Sequence, residues 1–404
     1  MAVLRALKHQ KFLLLWLGQT ASRVGDFAYE IALAWWVLEK TGSAQSMSLV
    51  LIFAITPSVL FSLVSGVVID RLPRLKVMLV SDVLRGAVAL TVSMLALSNR
   101  MEIGHVFLAS LLFGLFDAFF QPAYMALLPE LVPEADLTSA NALTSISVNL
   151  GRIVGPTLGA GIVTLVGTGW AFSLNSASFF IATALIFPLL FTHFPHSRPR
   201  AATHPWQDFR EGLTAVFSRP WLWISTLVFA LTNITLVGPY NVAMPFLVKD
   251  FMRANVDVLG LLYAAFPLGY VIGAMWFGRR EKIRQRGPIM YLCLALAAIS
   301  LALFGIHLPL WALVAAALVN GVALELEHLA WLNLLQEKIP NEQLGRVFSI
   351  DAIGSFALLP VGLALVGWGV ETFGPQTMFL VGGGLTALIS LAVLALSPTI
   401  RRLD

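Results

Sequence analysis

Arg23, Asp26 and Glu30 stand inside one apolar run, spaced three and then four apart, so a helix places them on one face. An ionisable side chain in a bilayer core costs at least about 2.5–3.5 kcal/mol, and those that persist pair with one another or line a wet cavity. Asp26 or Glu30 can carry a proton there; a static ion-pair network that fixes helix packing is the alternative. At 1.5 Å per residue, Arg23 and Arg152 fall at the same depth, roughly 16 Å from the nearer end of their runs. Arg152 reads as a counter-ion before it reads as a substrate ligand. Arg85 and Asp117 share a depth of roughly 15 Å on consecutive runs, with Asp82 one turn from Arg85, and read first as a structural pair. Further on, Glu325, Glu327 and His328 stand within four residues. Glu325 and His328 share a face and Glu327 points away, so one carboxylate faces a cavity and the other a neighbouring helix. A carboxylate beside a histidine suits proton relay. Contact with a cationic substrate and a static hydrogen-bonding role are the alternatives. No metal is expected, because these ligands sit on a single helix without a cysteine or a histidine-rich partner.

The elements that must carry these residues follow from composition. Of 404 residues, 58% are hydrophobic and 12% are charged, against about 45–50% and 25% in soluble domains. That excludes soluble enzymes, nucleic-acid binders and disordered scaffolds. A lone cysteine, Cys293, excludes a disulfide scaffold. The apolar runs are long and continuous, unlike the alternation of a membrane β-barrel. Twelve runs of spanning length are expected, at 12–38, 47–69, 76–97, 104–127, 141–165, 171–192, 221–247, 258–278, 288–306, 310–335, 348–370 and 377–397. The first is too long and too charged for a cleavable signal sequence. Nineteen of the 26 Lys and Arg fall in alternate connecting segments beginning with the N-terminus, and four fall in the others. By the positive-inside rule both termini are cytoplasmic, in a multi-pass prokaryotic cell membrane. The net charge of +4 is this placement signal, and no nucleic-acid partner is expected.

The longest connection, 193–220, is polar and Pro-rich at its start. Its end repeats Trp206, Phe209, Leu213, Val216 and Phe217, opposite Asp208, Arg210 and Glu211. This pattern predicts an amphipathic helix on the inner leaflet, either a spacer or a regulatory element. The expected organisation is a bundle over 1–192, the linker 193–220 and a second bundle over 221–404. A shift of 207 residues aligns 113–172 with 320–379 without a gap, matching Gly114 to Gly321, Leu127 to Leu334, Glu130 to Glu337, Pro133 to Pro340, Gly167 to Gly374 and Phe172 to Phe379. Two repeats of six helices, with a site near the midplane between them, are a transporter pattern. Pro239, Tyr240, Asn241 and Pro245 predict a kinked helix suited to gating. Tyr240 and Asn241 are candidate substrate contacts.

The loop Gly66-Val-Val-Ile-Asp70-Arg71-Leu-Pro73-Arg74-Leu75-Lys76 resembles the signature loop of the major facilitator superfamily, with Pro73 and Leu75 as departures. Gly151-Arg152-Ile-Val-Gly155-Pro156-Thr-Leu-Gly159 is similar to the helix 5 motif of its antiporters. Glu39-Lys-Thr-Gly-Ser43, Gln121-Pro122-Ala123 and Gln336-Glu-Lys-Ile-Pro340 with Leu344-Gly-Arg-Val-Phe-Ser349 resemble macrolide-efflux-type drug/proton antiporters. The resemblance implies an all-α membrane protein of twelve transmembrane helices in two pseudo-symmetric bundles. It implies a secondary transporter working by alternating access, with proton-coupled efflux of amphipathic drug-like compounds. Export of an endogenous metabolite such as a siderophore or lipid is the alternative. It also implies a cytoplasmic gate formed by Gly66, Asp70, Arg71, Arg74 and Lys76 with Asp351 at the docking helix, and an antiport seal at Gly151, Gly155, Pro156 and Gly159. The expected partners are a small-molecule substrate and the lipid bilayer, and the chain is expected to be monomeric. No cofactor is expected; the energy source would be the proton gradient. No nucleotide-binding GxxxxGK[ST] loop is present in the sequence. Neither an enzyme nor a sensor is expected, since no catalytic set or soluble domain is visible.

Overall fold

A computed structural model describes residues 2–192, 205–277 and 284–404; the side chains of 2–3, 62–64, 66–71, 205–208 and 341–342 lie outside the described set. Among the described residues the structure is helical and has no strand. The spans are α1 (Gln10–Thr41), α2 (Ala44–Arg71), α3 (Arg74–Leu97), α4 (Ile103–Leu131), α5 (Glu134–Val166) and α6 (Thr168–Ile186). They continue as α7 (Pro220–Phe251), α8 (Val256–Phe277), α9 (Arg286–Ala302), α10 (Leu310–Lys338), α11 (Asn341–Phe356 with Leu359–Phe373) and α12 (Pro375–Leu396). Eleven described helices meet the length and hydropathy needed to cross a bilayer. The twelfth is α1, 32 residues long, whose charged stripe lowers its hydropathy. The amphipathic helix expected in the linker occupies Pro205–Phe217.

Boundaries follow local chemistry. Prolines 73, 133, 309 and 340 stand at N-caps, where a missing N–H costs nothing. Gly42 ends α1 at φ +60°, its N–H returning to Leu38 O. The kink expected in α7 takes another form. Three π-helical stretches, Asn233–Val237, Pro239–Ala243 and Leu247–Phe251, widen the helix over more than three turns. The N–H groups of Gly238, Met244 and Met252 bond five residues back. Pro239 and Pro245 donate nothing, and the wider register redistributes the remaining donors. α11 is interrupted at Ala357 and Leu358, just before Pro360, where one continuous run was expected.

Two compact units emerge. The first holds 1–42, 49–200 and 256–264; the second holds 43–48, 201–255 and 265–404. In the first, α1 lies against α5 and α6, and α3 lies against α4 and α6. In the second, α9 lies against α10 and α12 in the corresponding way. The internal repeat reappears in detail. Gly167 and Gly374 both adopt positive φ, +94° and +83°. Leu127 and Leu334 are buried, as are Phe172 and Phe379. A Cβ on Gly114 would penetrate the carbonyl oxygen of Ala54 on α2, and one on Gly321 would penetrate that of Phe266 on α8.

The matched glutamates also do the same job. Arg74 Nη1 donates to Glu130 Oε1 at 2.5 Å and to Ala126 O at 2.8 Å. Arg286 Nη1 donates to Glu337 Oε2 at 2.6 Å. The two arginines are 212 residues apart, whereas the glutamates are 207 apart. The change of offset explains why a single shift revealed only the second part of each repeat. Arg74→Ala is expected to lower the thermal midpoint of the purified protein more than Arg286→Ala. Arg74 and Glu130 are 21% and 12% exposed, while Glu337 is 59% exposed and its pair is screened by solvent.

Candidate functional site

The first unit concentrates its charges on three helices around α1. Asp82, fully buried, accepts from Arg85 Nη2 at 2.7 Å and from Gln19 Nε2 at 3.1 Å. Arg85 Nη1 also reaches Asp117 Oδ1 at 3.5 Å, and Gln121 Nε2 donates to the same oxygen at 3.4 Å. The guanidinium lies over Phe120 and Phe179, 4.2 and 4.8 Å from the ring centres. Arg85 is therefore held between a dry partner, Asp82, and an open one, Asp117, whose side chain is 38% exposed. Removing Asp82 leaves a buried cation without its main partner, a change worth about 3–5 kcal/mol. Asp82→Ala is expected to cost that much in thermal or denaturant unfolding, and Asp82→Ala with Arg85→Leu is expected to recover part of it.

Asp26 is partly exposed and lies within electrostatic reach of Arg85, Asp117 and Asp82. Glu30 is exposed and interacts with Asp26 and Arg152, itself exposed. Arg23 packs over the Tyr124 ring at 5.7 Å. Its Nε and Tyr29 Oη are buried without a hydrogen-bond partner, and the Asn175 amide interacts with Asp26. The close approach of α1 to α6 is made at Gly25, where a Cβ would meet Ser178 and Asn175. Asp26, Asp82 and Asp117 thus share Arg85, and Glu30 interacts with Arg152. Gly151, Gly155 and Gly159 turn to α1, meeting Arg23, Val24, Phe27 and Ala28, while Pro156 and Ala160 meet Gly260 of α8 within the same unit.

The second unit holds a different cluster. Asp351, 9% exposed, accepts from Thr226 Oγ1 at 2.7 Å and Trp331 Nε1 at 3.0 Å. It is an inward-turned group of its own unit, and it interacts electrostatically with His328 and Glu327. The hydroxyl of Thr226 also lies 3.1 Å from Leu222 O. One hydroxyl hydrogen is thus shared between two acceptors. Glu327 interacts with Asp351 and Glu325, and forms no hydrogen bond or ion pair among the described residues. Glu325 sits beside Gly273 of α8, and His328 is exposed. Tyr240 packs edge-on against Phe266 at 4.8 Å. Asn241 Nδ2 donates to Val237 O at 2.9 Å, so its amide is committed to its own helix. Among the gate residues, Arg74 is paired as above and Lys76 is exposed. The side chains of Gly66, Asp70 and Arg71 lie outside the described residues, as do those of Trp206 and Asp208. Among the described residues no group of His, Cys, Asp or Glu is arranged to hold a metal ion.

The sequence reading singled out neither Gln19, Tyr29 nor Asn175. Each is a polar residue in an apolar helix, a signal present in the sequence but common to many serines and threonines that merely bond their own backbone.

This polytopic all-helical chain of two repeat-related units, matched over its length by a transporter family and by known exporters, is a transporter of the major facilitator superfamily and not an enzyme. A family described as transmembrane secretion effector matches residues 1–402, and the chain belongs to that family. It is 25% identical to macrolide efflux protein A of Streptococcus pyogenes over 401 residues, covering 98% of this chain and 97% of that protein. It is 29% identical to the enterobactin exporter EntS of Escherichia coli over 310 residues, covering 76% of this chain and 72% of that one. The fold resembles a bacterial homologue of the iron transporter ferroportin in an inward-facing state (TM-score 0.72, 16% identity, 94% of this chain and 98% of that chain). It also resembles the nucleoside transporter NupG (TM-score 0.73, 14% identity, 95% and 98%).

Proposed function

We propose that this efflux transporter is driven by the proton gradient and exports amphipathic, drug-like molecules across a prokaryotic inner membrane, with both termini cytoplasmic. The observation that carries this reading is the excess of carboxylates over arginines in the first unit. Arg85 serves Asp82 first, so Asp26 and Asp117 share what remains of its charge. A surplus carboxylate in low dielectric is neutralised either by a proton or by a cationic or dipolar cargo. Those two occupants then compete, which is the requirement for exchange. Asp26, Glu30 and Asp117 are the proton candidates of this unit. Glu325, Glu327, His328 and Asp351 form the second candidate set, and Asp70, Arg71 and Arg74 belong to the gate.

Export of an endogenous anionic metabolite is the second reading. It is favoured by Arg23, whose Nε lacks a partner, by exposed Arg152, and by similarity to an enterobactin exporter. Accumulation of radiolabelled macrolide and of enterobactin in cells lacking their own exporters tests both. Lower macrolide accumulation, abolished by a protonophore, supports the first reading. Enterobactin export lost in Arg23→Gln and Arg152→Gln supports the second. Export of either compound that persists when the proton gradient is collapsed contradicts the coupling.

A further inference from the structure

The linker helix does not lie free. Gly212, Ala215 and Val216 are buried, and Gly212 packs on Ile350 and the Arg346 backbone of α11. The apolar face expected from sequence is therefore divided. Val216 goes into the protein, whereas Phe209 and Phe217 stay exposed, 36% and 65%. On a helix of 3.6 residues per turn, Phe209, Leu213 and Phe217 form a strip, and Arg210 stands about 20° from Phe217.

Beside that strip opens a cleft of about 790 Å³, lined by Arg210, Glu211, Thr214, Ser218, Arg219 and Arg346 among others. Among the described residues its three arginines face a single carboxylate. Glu211 is taken by Arg346 at 2.6 Å. Arg219 donates to two neutral oxygens, Ala215 O at 2.7 Å and Gln343 Oε1 at 3.2 Å, so its charge is uncompensated there. Arg210 is exposed, and its guanidinium meets no carboxylate among the described residues. The cleft is thus cationic and rich in N–H donors; the strip of Phe209, Leu213 and Phe217 lies outside its lining, on the flank of the helix next to Arg210, and Pro220 starts a membrane span just beyond.

We propose that this cleft binds the phosphate of an anionic phospholipid headgroup. Guanidinium groups match phosphate oxygens in a bidentate way. Phe209 and Phe217 receive the upper acyl chain, as aromatic residues do at the membrane interface. Diester phosphate has no second ionisation at neutral pH, so one negative charge enters a site of two net positive charges.

The test uses the purified full chain in nanodiscs and in detergent, titrated with phosphatidylglycerol, with phosphatidylcholine of the same chains, and with inorganic phosphate. Binding is read by native mass spectrometry and by the shift of the melting midpoint. Phosphatidylglycerol is expected to bind more tightly than phosphatidylcholine. Arg210→Gln with Arg219→Gln is expected to weaken it roughly 30-fold, each juxtamembrane arginine contributing about fivefold. Arg401→Gln with Arg402→Gln, at the other end of the chain, is expected to leave it unchanged. Arg210→Glu, at an exposed position that does not cap a helix, repeats the test without risk to folding. Loss of binding in Phe209→Ser with Phe217→Ser supports a lipid. Inorganic phosphate bound as tightly as phosphatidylglycerol, and insensitive to the Phe substitutions, overturns the lipid assignment. Equal phosphatidylglycerol binding in wild type and in the Arg210 and Arg219 variants overturns the site.

Discussion

Inverted vesicles carrying Asp26→Asn are expected to accumulate substrate no faster with an imposed pH gradient than without one. Asn keeps the volume of Asp26 and loses its titration. The prediction rests on how Arg85 is shared. Asp82 holds the guanidinium in a dry contact, backed by Gln19 and covered by Phe120 and Phe179, and is a structural partner. Asp26 has reach to the same arginine but no exclusive claim on it, and it is partly open. It is the group whose charge can change without dismantling the fold. Glu30→Gln is expected to have a smaller effect, because Arg152 stands beside Glu30. If Asp26→Asn retains full coupling while Glu327→Gln or Asp351→Asn abolishes it, the proton is carried by the second unit.

Gly114→Val and Gly321→Val are each expected to abolish recovery of folded protein. The obstacle at each site is a backbone carbonyl, of Ala54 or of Phe266, which no rotamer change removes. Helices packed at that distance must separate along much of their length, and the expected cost is about 4 kcal/mol or more. Gly161→Ala and Gly384→Ala are the controls, since nothing lies within 4 Å of a Cβ at either. Size-exclusion profiles of the detergent-solubilised variants check the prediction. Monodisperse Gly114→Val protein would show that α2 and α4 do not meet as described. The same outcome at both glycines is expected because the two positions are equivalent in the repeat.

Helix existence was legible in the residues because twelve runs of apolar side chains have one economical structure in a bilayer. The π-helical course of α7 was not, since Pro239 and Pro245 are compatible with a bend or with a wider register, and the choice lies with the neighbouring helices. The Gly114 and Gly321 correspondence could be read from a single shift. The Arg74 and Arg286 correspondence could not, because a five-residue difference between the halves breaks the register. For the candidate site, side-chain type and helical spacing located Arg85, Asp82 and Asp117 near one another. They did not tell that Asp82 would be sealed and Asp117 open, which depends on Phe120 and Phe179. Asp351 is a gate residue by resemblance, and its bonds to Thr226 and Trp331 could not be read from the residues. Its depth along α11 could not be read without knowing which face of that helix turns inward.

The central claim is that proton and cargo compete for the same carboxylates. Adding macrolide or enterobactin to the purified protein in weakly buffered solution, with a pH indicator, tests it directly. The account predicts that binding of the transported compound releases protons, and that the release disappears in the variant lacking the coupling carboxylate. Saturable binding of that compound with no proton release, at any pH where the protein stays folded, would contradict it.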